Sequence, residues 1–203
     1  MSQIDWSMVG NLETYPEVYA NVMETLNAAM DAYALMDPDP PALRRLAALN
    51  VQAAMNSFDI VHEWGAVQTR APTGFALQVA LRGVVLRCFE FHIAMNEVLL
   101  PAARANAAEL GLEFDSARMK AKRKELWPDG LEIVAGWADL RNHAAGHYGK
   151  DHDKQFAEIQ SIDFNTVLTA TGAMVLLLTE FVRTLTACAK PIMDSINQSK
   201  GGG

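Results

Sequence analysis

The chain lacks the residue patterns of a disulfide-rich protein, a strand-based protein or a repeat protein. Its two cysteines, Cys88 and Cys188, lie in apolar runs and form no CxxC pair, so we expect reduced core thiols of a cytosolic protein. No apolar–polar alternation lasts for more than a few residues, and no repeat is visible at the periods of solenoids or propellers. These absences leave helices as the expected main element.

The sequence also shows no basic excess, no signal-peptide pattern and no long apolar run. Its formal net charge of −7 excludes a general nucleic-acid coat, although an enzyme with one local basic patch stays compatible with that charge. The opening residues show no basic stretch followed by an apolar run, so no signal peptide is expected. The apolar stretch from Phe164 to Thr179 is short and contains Asn165 and Gly172, which predicts a buried core helix. We therefore expect a cytoplasmic protein without a membrane span.

Helical periodicity is what the sequence has in abundance. Half of the 203 residues are hydrophobic and a fifth are charged, which is enough apolar material for the core of one domain. Apolar positions at steps of three and four predict an all-α bundle of about five to six helices over residues 1–198, followed by a flexible tail at 199–203. The predicted helices span about 17–36, 42–64, 75–110 with Pro101 kinking or dividing the run, a short helix capped by Asp115 or Ser116, 131–145 and 164–196.

The most distinctive polar cluster is residues 137–154, "WADLRNHAAGHYGKDHDK", at the expected end of the helix over 131–145. Arg141, Asn142 and three of the five histidines of the chain fall close together there. The simplest interpretation is a helix C-terminus, where histidines satisfy free carbonyl groups and interact favourably with the helix dipole. Two chemical interpretations stand beside it.

The first chemical interpretation is a metal site. His143 and His147 are four residues apart, so both imidazoles would share one face of an intact helix, and side chains at 151–153 could add a ligand. However, Gly146 makes the continuity of that helix doubtful, and no further histidine or cysteine pair supplies a second ligand arm. This arrangement would belong to a metal-dependent helical-bundle enzyme.

The second chemical interpretation is RNA cleavage by internal attack of a ribose 2′-hydroxyl. His147 titrates near neutrality and can take up or release a proton, and Arg141 is a permanent forked cation suited to a phosphate. Asn142 can donate to a phosphate oxygen or hold the imidazole. Acyl transfer fits less well, because no serine or cysteine lies next to the cluster as a nucleophile.

The stretch "LRNHAAGHYGKD", followed by a long apolar helix in an all-α chain, resembles the HEPN superfamily. Members of that superfamily are α-helical bundles with an Arg-x(4–6)-His motif, often with asparagine directly after the arginine. Many are metal-independent endoribonucleases of toxin–antitoxin, abortive-infection and CRISPR systems, and others are binding or assembly modules without activity. In active members the motif typically comes from two protomers or two domains that meet at a shared cleft.

The resemblance implies a role for three residues of this chain. Arg141 would stabilise the phosphate, Asn142 would be the accompanying polar residue and His147 the catalytic histidine, while the adjacent Tyr148 would contact substrate. It also implies RNA as the substrate, a homodimer and, as in toxin systems, a neutralising protein partner, with no cofactor and no metal. A binding or assembly module without catalysis is the alternative that the same resemblance leaves open.

The basic run "RMKAKRK" at 118–124 is the one visible positive patch of this acidic chain. Lys120, Lys122, Arg123 and Lys124 are therefore candidate contacts to the RNA backbone, although a charge run is often only the solvated face of a helix. His92, alone on a largely apolar helix, is expected to be a core or interface histidine with its hydrogen bonds satisfied.

Overall fold

The computed structural model describes residues 15–36, 39–144 and 152–200, without the side chains of residues 129, 142–144 and 196–200. The described residues are almost entirely helical and contain no strand, so the all-α fold class is confirmed. The expected count of five to six helices is not confirmed, because the described chain divides into more and shorter segments.

Two long helices open the described chain. Helix α1 covers Tyr15–Leu35 and helix α2 covers Pro41–Arg70, so α2 is about two turns longer than its pattern predicts. The two pack closely where the ring of Tyr15 lies on Gly65, because a Cβ atom there would fall 1.6 Å from the Tyr15 hydroxyl oxygen. Glycine at this position is thus a requirement of the α1–α2 contact.

The run predicted over 75–110 is one continuous but modified helical rod. Helix α3 covers Phe75–Ala94, a π-helical turn covers Met95–Leu99, and helix α4 covers Leu100–Glu109. Pro101 stands in the first turn of α4, where its ring and missing N–H disturb the α-helical ladder of the preceding turn. The division near Pro101 that the sequence predicts is therefore present as a widened turn.

Helix α5 covers Ser116–Leu126 and leads through a second π-helical turn, Trp127–Leu131, into two short helices. The expected cap is Asp115, whose carboxylate accepts the backbone N–H of Arg118 at 2.8 Å. The helix predicted over 131–145 is divided, because the backbone leaves the helical path at Trp137 between α6 and α7. Helix α6 covers Glu132–Gly136 and helix α7 covers Ala138–Ala144.

The chain closes with helix α8, His152–Gln160, and helix α9, Phe164–Lys200. No helix is predicted between residues 145 and 164, so this short amphipathic helix was missed. Asp163 begins α9 by accepting the backbone N–H of Thr166 at 2.8 Å and its hydroxyl at 2.9 Å, and these bonds lower the pKa of the carboxyl. Residues 201–203 of the expected tail lie outside the described ranges.

Helix α9 is the centre of the fold. It packs against α2, α3, α5 and the second π-helical turn, and one buried cluster connects all of them. Its own core residues include Met174, Leu178 and Phe181, each almost fully buried. Both cysteines are free and buried, as expected, and burial raises the pKa of Cys88 to about 12 against a weak opposing bond to Thr171.

The stretch Phe164–Ser195 of α9 is long and apolar enough to cross a membrane, and half of its most apolar window is buried against the other helices. Core helices of soluble proteins share this combination of length, composition and burial.

Candidate functional site

The motif arginine lies on the surface at the end of α7. The side chain of Arg141 donates from Nε to Oε1 of Glu90 on α3 at 2.9 Å. Both side chains are half exposed, at 46% and 57%. An ion pair at such exposure contributes about 0.2–1 kcal/mol, so it orients the guanidinium more than it stabilises the fold.

The other motif residues fall beyond what the structure describes in detail. The structure describes the backbone of Asn142 and His143 in α7 but not their side chains. His147 and Tyr148 lie within residues 145–151, which are outside the described ranges. Of the predicted catalytic set, only Arg141 therefore has a described environment.

The metal interpretation depends on the same undescribed segment, because it needs His143 and His147. Within residues 15–36, 39–144 and 152–200, no group of three or more histidine, cysteine or acidic side chains is arranged to hold a metal ion. His152, at the start of α8, stacks on the ring of Phe156 with the centroids 6.3 Å apart.

The basic run on α5 is divided between two faces of the helix. Arg118 turns toward α9 and pairs with Glu180, which is 9% exposed, and Lys122 pairs with Glu125 on α5 itself. The remaining cations, Lys120, Arg123 and Lys124, line a groove on the other side of the helix. Of the four predicted contacts, Lys122 is thus the one that does not line the groove.

This groove, which we call the basic groove, has a volume of about 680 Å³. It lies between α5 and the rod formed by the first π-helical turn and α4. The rod contributes Asn96, Leu100 and Arg104, which share one face because they are four residues apart. Across the groove, the walls are formed by Ser116, Met119, Lys120, Arg123, Lys124, Trp127 and Pro128.

Packing against α9 fixes the α5 side of the groove. Met119 and Leu126 are buried, and the Thr184 hydroxyl of α9 contacts the Met119 sulfur at 3.6 Å. The second π-helical turn is anchored by Gly130, where a Cβ atom would lie 2.5 Å from the Ala173 Cβ and 3.0 Å from the Thr169 carbonyl oxygen. Core packing on α9 therefore sets the position of this side of the groove.

Two buried side-chain atoms of the α3–α4 rod have no hydrogen-bond partner among the described residues, and one of them belongs to a groove residue. The side-chain amide of Asn96 donates to the His92 carbonyl at 2.8 Å, and its buried Oδ1 has no hydrogen-bond partner among the described residues. The Nδ1 atom of His92 is likewise buried without a partner in the described part of the chain. His92 is thus a buried histidine as expected, but its hydrogen bonds are not all satisfied.

The protonation state of His92 follows from its surroundings. Burial lowers the pKa of the imidazole, and the positive charge of Arg123 lowers it further. The ordinary pKa of histidine is already below 7, so the ring is neutral at neutral pH. Its unpartnered Nδ1 can then donate or accept, depending on the tautomer.

The Arg141 site and the basic groove lie on different faces of the same rod. Glu90, the partner of Arg141, and Asn96, in the groove, are six residues apart, which corresponds to about 9 Å along a helix and about 240° around it. The structure therefore brings Lys120, Arg123 and Lys124 together, and it separates them from Arg141 within one chain.

Sequence reasoning missed Arg104, Asn96 and Trp127 as groove residues. Arg104 and Asn96 lie eight residues apart on a segment that reads as an apolar core helix, and Trp127 reads as part of a turn. The sequence signal for this side of the groove is the helical spacing of Asn96, Leu100 and Arg104. That spacing indicates a groove only when α5 is known to pack opposite these residues.

A smaller cavity of about 240 Å³ lies beside α7, between that helix and the loop from α8 to α9. Asp139, Glu158 and Asp163 are among its lining residues. Since Asp163 is engaged as the cap of α9, this acidic cavity is accounted for by the helix junction.

Comparisons of the chain with protein-family models, with curated proteins and with solved structures give no match.

Proposed function

We propose that this protein is a metal-independent endoribonuclease of the HEPN type, with Arg141, Asn142 and His147 as its catalytic residues. One observation carries the proposal beyond the motif. The guanidinium of Arg141 is half exposed and donates to the exposed Glu90 carboxylate, directly before the segment that contains His147. A structural arginine would instead be expected to pair with a buried partner, as Arg118 does with Glu180.

The proposed reaction is an internal transfer at phosphorus. His147 takes the proton of a ribose 2′-hydroxyl, the 2′-oxygen bonds to the phosphorus, and the bond from phosphorus to the 5′-oxygen breaks. The leaving 5′-oxygen takes a proton from water and His147 returns its proton to the solvent, so the products are a 2′,3′-cyclic phosphate and a 5′-hydroxyl. Arg141 stabilises the charge that grows on the phosphate oxygens, and Asn142 holds a phosphate oxygen or the imidazole.

The weak pair between Arg141 and Glu90 suits this role. An RNA phosphate can replace the Glu90 carboxylate on the guanidinium at a cost of about 0.2–1 kcal/mol, because both groups are already in contact with water. Before substrate arrives, Glu90 keeps the arginine oriented. On binding, one anion is exchanged for another.

The biological setting is proposed from the resemblance. The enzyme would act in the cytoplasm, in a prokaryotic defence or toxin–antitoxin system, with a neutralising protein partner. It would act as a homodimer, so that two Arg141–His147 pairs meet at one cleft. RNA would follow the basic groove, where Lys120, Arg123 and Lys124 contact its backbone, with Lys122 at the edge and Tyr148 near the cleft.

A second candidate is a binding module without catalysis. It is favoured by the separation of the basic groove from Arg141 on the rod, because such a groove could hold an anionic ligand with no help from the motif. This candidate predicts ligand binding without cleavage.

The experiment that tests the proposal is RNA cleavage by the full-length protein in EDTA, with a mixed-sequence single-stranded RNA. We expect cleavage to persist and to leave 2′,3′-cyclic phosphate or 3′-phosphate ends. His147→Ala should lower the rate about 10²–10⁴-fold through loss of proton transfer, and Arg141→Ala about 10²–10³-fold through loss of charge stabilisation. Circular dichroism confirms that each variant is folded.

Two further histidine variants separate the interpretations. His143→Ala should have a milder effect, and His62→Ala, at an exposed position of α2 outside the motif, serves as the control. Equal losses for His143 and His147, together with recovery on adding zinc or manganese after EDTA, would favour the metal site instead. If no variant changes a measurable activity, the binding module replaces the nuclease.

A further inference from the structure

The basic groove concentrates positive charge in a protein of the opposite net charge. Arg104, Lys120, Arg123 and Lys124 line it, and no carboxylate occurs among its described lining residues. The whole chain has a formal charge of −7. Four cations of like charge around one cavity repel each other, so such an arrangement is expected where an anionic ligand compensates them.

Helix-dipole effects explain only part of this charge. Arg123 and Lys124 stand in the last turn of α5, where cations are favoured in any helix. Arg104 lies in the middle of α4, where no such effect applies, and its Nε donates to the Leu100 carbonyl at 3.3 Å. That bond holds the side chain along its own helix and leaves the two terminal amino groups of the guanidinium to face a ligand.

The groove also offers a flat apolar surface next to the cations. Trp127 is 40% exposed, whereas Trp64 is fully buried and Trp137 is 9% exposed. An exposed indole beside Arg123 and Lys124 is the arrangement on which a nucleic-acid base stacks, because every base has a π-face and its phosphate lies a few ångströms away.

A specific hydrogen-bond acceptor completes the site. Asn96 lines the groove, and its amide orientation is set by the bond from Nδ2 to the His92 carbonyl at 2.8 Å. Its Oδ1 therefore presents a buried lone pair without a partner among the described residues. A buried polar atom without a partner is costly, and an amino or imino group of a ligand would satisfy it.

We propose that the basic groove binds a nucleoside phosphate, with the base on Trp127, an N–H group of the base or sugar O–H on Asn96 Oδ1, and the phosphates among Arg104, Lys120, Arg123 and Lys124. The volume of about 680 Å³ lies within the range of small-molecule sites. The ligand can be a free nucleotide or one nucleotide of an RNA strand, since both present the same chemistry. No motif residue takes part, so the site does not depend on the proposed cleavage.

The test is binding of three probes to the full-length His147→Ala protein: ADP, inorganic pyrophosphate and adenosine. The variant keeps cleavage out of the measurement, and isothermal titration gives each dissociation constant. We expect ADP to bind at least tenfold more tightly than either pyrophosphate or adenosine, because only ADP uses the cations and the indole together. Equal affinity for ADP and pyrophosphate would overturn the proposal in favour of a simple anion site.

Matched variants assign the two halves of the site. Trp127→Leu should weaken ADP binding roughly 5- to 150-fold and leave pyrophosphate binding within twofold, while Trp127→Phe should retain most of the affinity. Lys124→Gln should weaken both ligands, and Lys154→Gln, which removes the same charge on α8 outside the groove, should weaken neither. Unchanged ADP binding in folded Trp127→Leu would also overturn the proposal.

A 2′-O-methyl RNA hexamer distinguishes the two sources of the ligand. It cannot be cleaved by 2′-hydroxyl attack, so binding is measured without the proposed nuclease reaction. Displacement of ADP by the hexamer, with a loss in Trp127→Leu, identifies an RNA nucleotide as the ligand. Binding of ADP without displacement identifies a free nucleotide, and no saturable binding of either probe at millimolar concentration refutes the site.

The outcome is independent of the catalytic proposal. If Arg141→Ala and His147→Ala leave RNA cleavage unchanged while ADP still binds, the nuclease assignment fails and the groove assignment stands. If Arg141→Ala and His147→Ala abolish cleavage but neither ADP nor the hexamer binds, the nuclease assignment stands and the groove assignment fails.

Discussion

Arg118 on α5 and Arg141 on α7 each form an ion pair with a glutamate, but the two pairs have different surroundings. Glu180, the partner of Arg118, is 9% exposed and belongs to the core helix α9, whereas Glu90, the partner of Arg141, is a surface residue. The first arginine neutralises a charge that the fold has buried. The second pairs with a carboxylate that is exposed to water and gains little from the bond, so breaking that pair costs little free energy.

The same contrast extends to the regions around these arginines. The basic groove is formed by described side chains that are fixed by packing of α5 and the second π-helical turn on α9. The motif region has one described side chain, on a short helix that contacts the rod through an exposed pair. The proposed nucleotide site is thus fixed by core packing, whereas the proposed catalytic site depends on the proposed approach of a second protomer.

The largest expected effect is a difference in stability between variants of the two arginines. Arg118→Gln should strongly destabilise the protein, because it leaves the buried Glu180 carboxylate without its charged partner, and a buried group of this kind costs about 1–3 kcal/mol or more. Arg141→Gln should leave stability within about 0.5 kcal/mol, as is usual for surface substitutions. Urea unfolding of both variants, at the same net charge, measures the difference. Equal losses would mean that Arg141 also has a structural role.

This contrast was not visible in the sequence, although much of the fold was. The spacing of apolar residues predicts α1, α2 and α9, and Pro101 predicts the division of the α3–α4 rod, because these signals are local. The basic run was read as one patch, but its division into an α9-facing Arg118 and a groove-facing set depends on how α5 lies on α9. Such tertiary contacts leave no mark in a single sequence.

The two candidate sites differ in how far the sequence alone can predict them. The motif is found from sequence because its residues are neighbours along the chain, whereas the groove joins Asn96 and Arg104 to Trp127 across two elements. Helix α8 and the break at Trp137 were also missed, since a polar segment of nine residues and a short interruption give weak periodic signals.

The next prediction concerns the packing that shapes the groove. Gly130→Ala should destabilise the protein by about 1–3 kcal/mol, because the new Cβ would lie 2.5 Å from the Ala173 Cβ and 3.0 Å from a backbone oxygen, neither of which can rotate away. The displaced turn carries Trp127, so ADP affinity should fall as well. Thermal unfolding and titration measure the two effects.

Gly172→Ala on the facing helix is the matched control. A Cβ atom at Gly172 meets nothing within 4 Å, and alanine favours the interior of a helix by up to about 1 kcal/mol. This variant should therefore be as stable as the parent protein or more stable. A loss of stability in Gly172→Ala equal to that in Gly130→Ala would show that the close approach of the turn to α9 is not the cause.

The smallest expected effect tests the exchange of anions at Arg141. Glu90→Gln keeps an oxygen that can accept the Arg141 Nε–H, but it removes the negative charge that competes with an RNA phosphate. In the His147→Ala background, where cleavage does not interfere, RNA should bind up to about fivefold more tightly, because an exposed pair of this kind is worth about 0.2–1 kcal/mol. Glu24→Gln, an exposed residue of α1, removes the same charge at a remote position and should change RNA affinity much less. Equal gains in both variants would reduce the effect to net charge. Weaker binding in Glu90→Gln alone would contradict the exchange, because it would mean that the carboxylate assists RNA binding by holding the guanidinium in place.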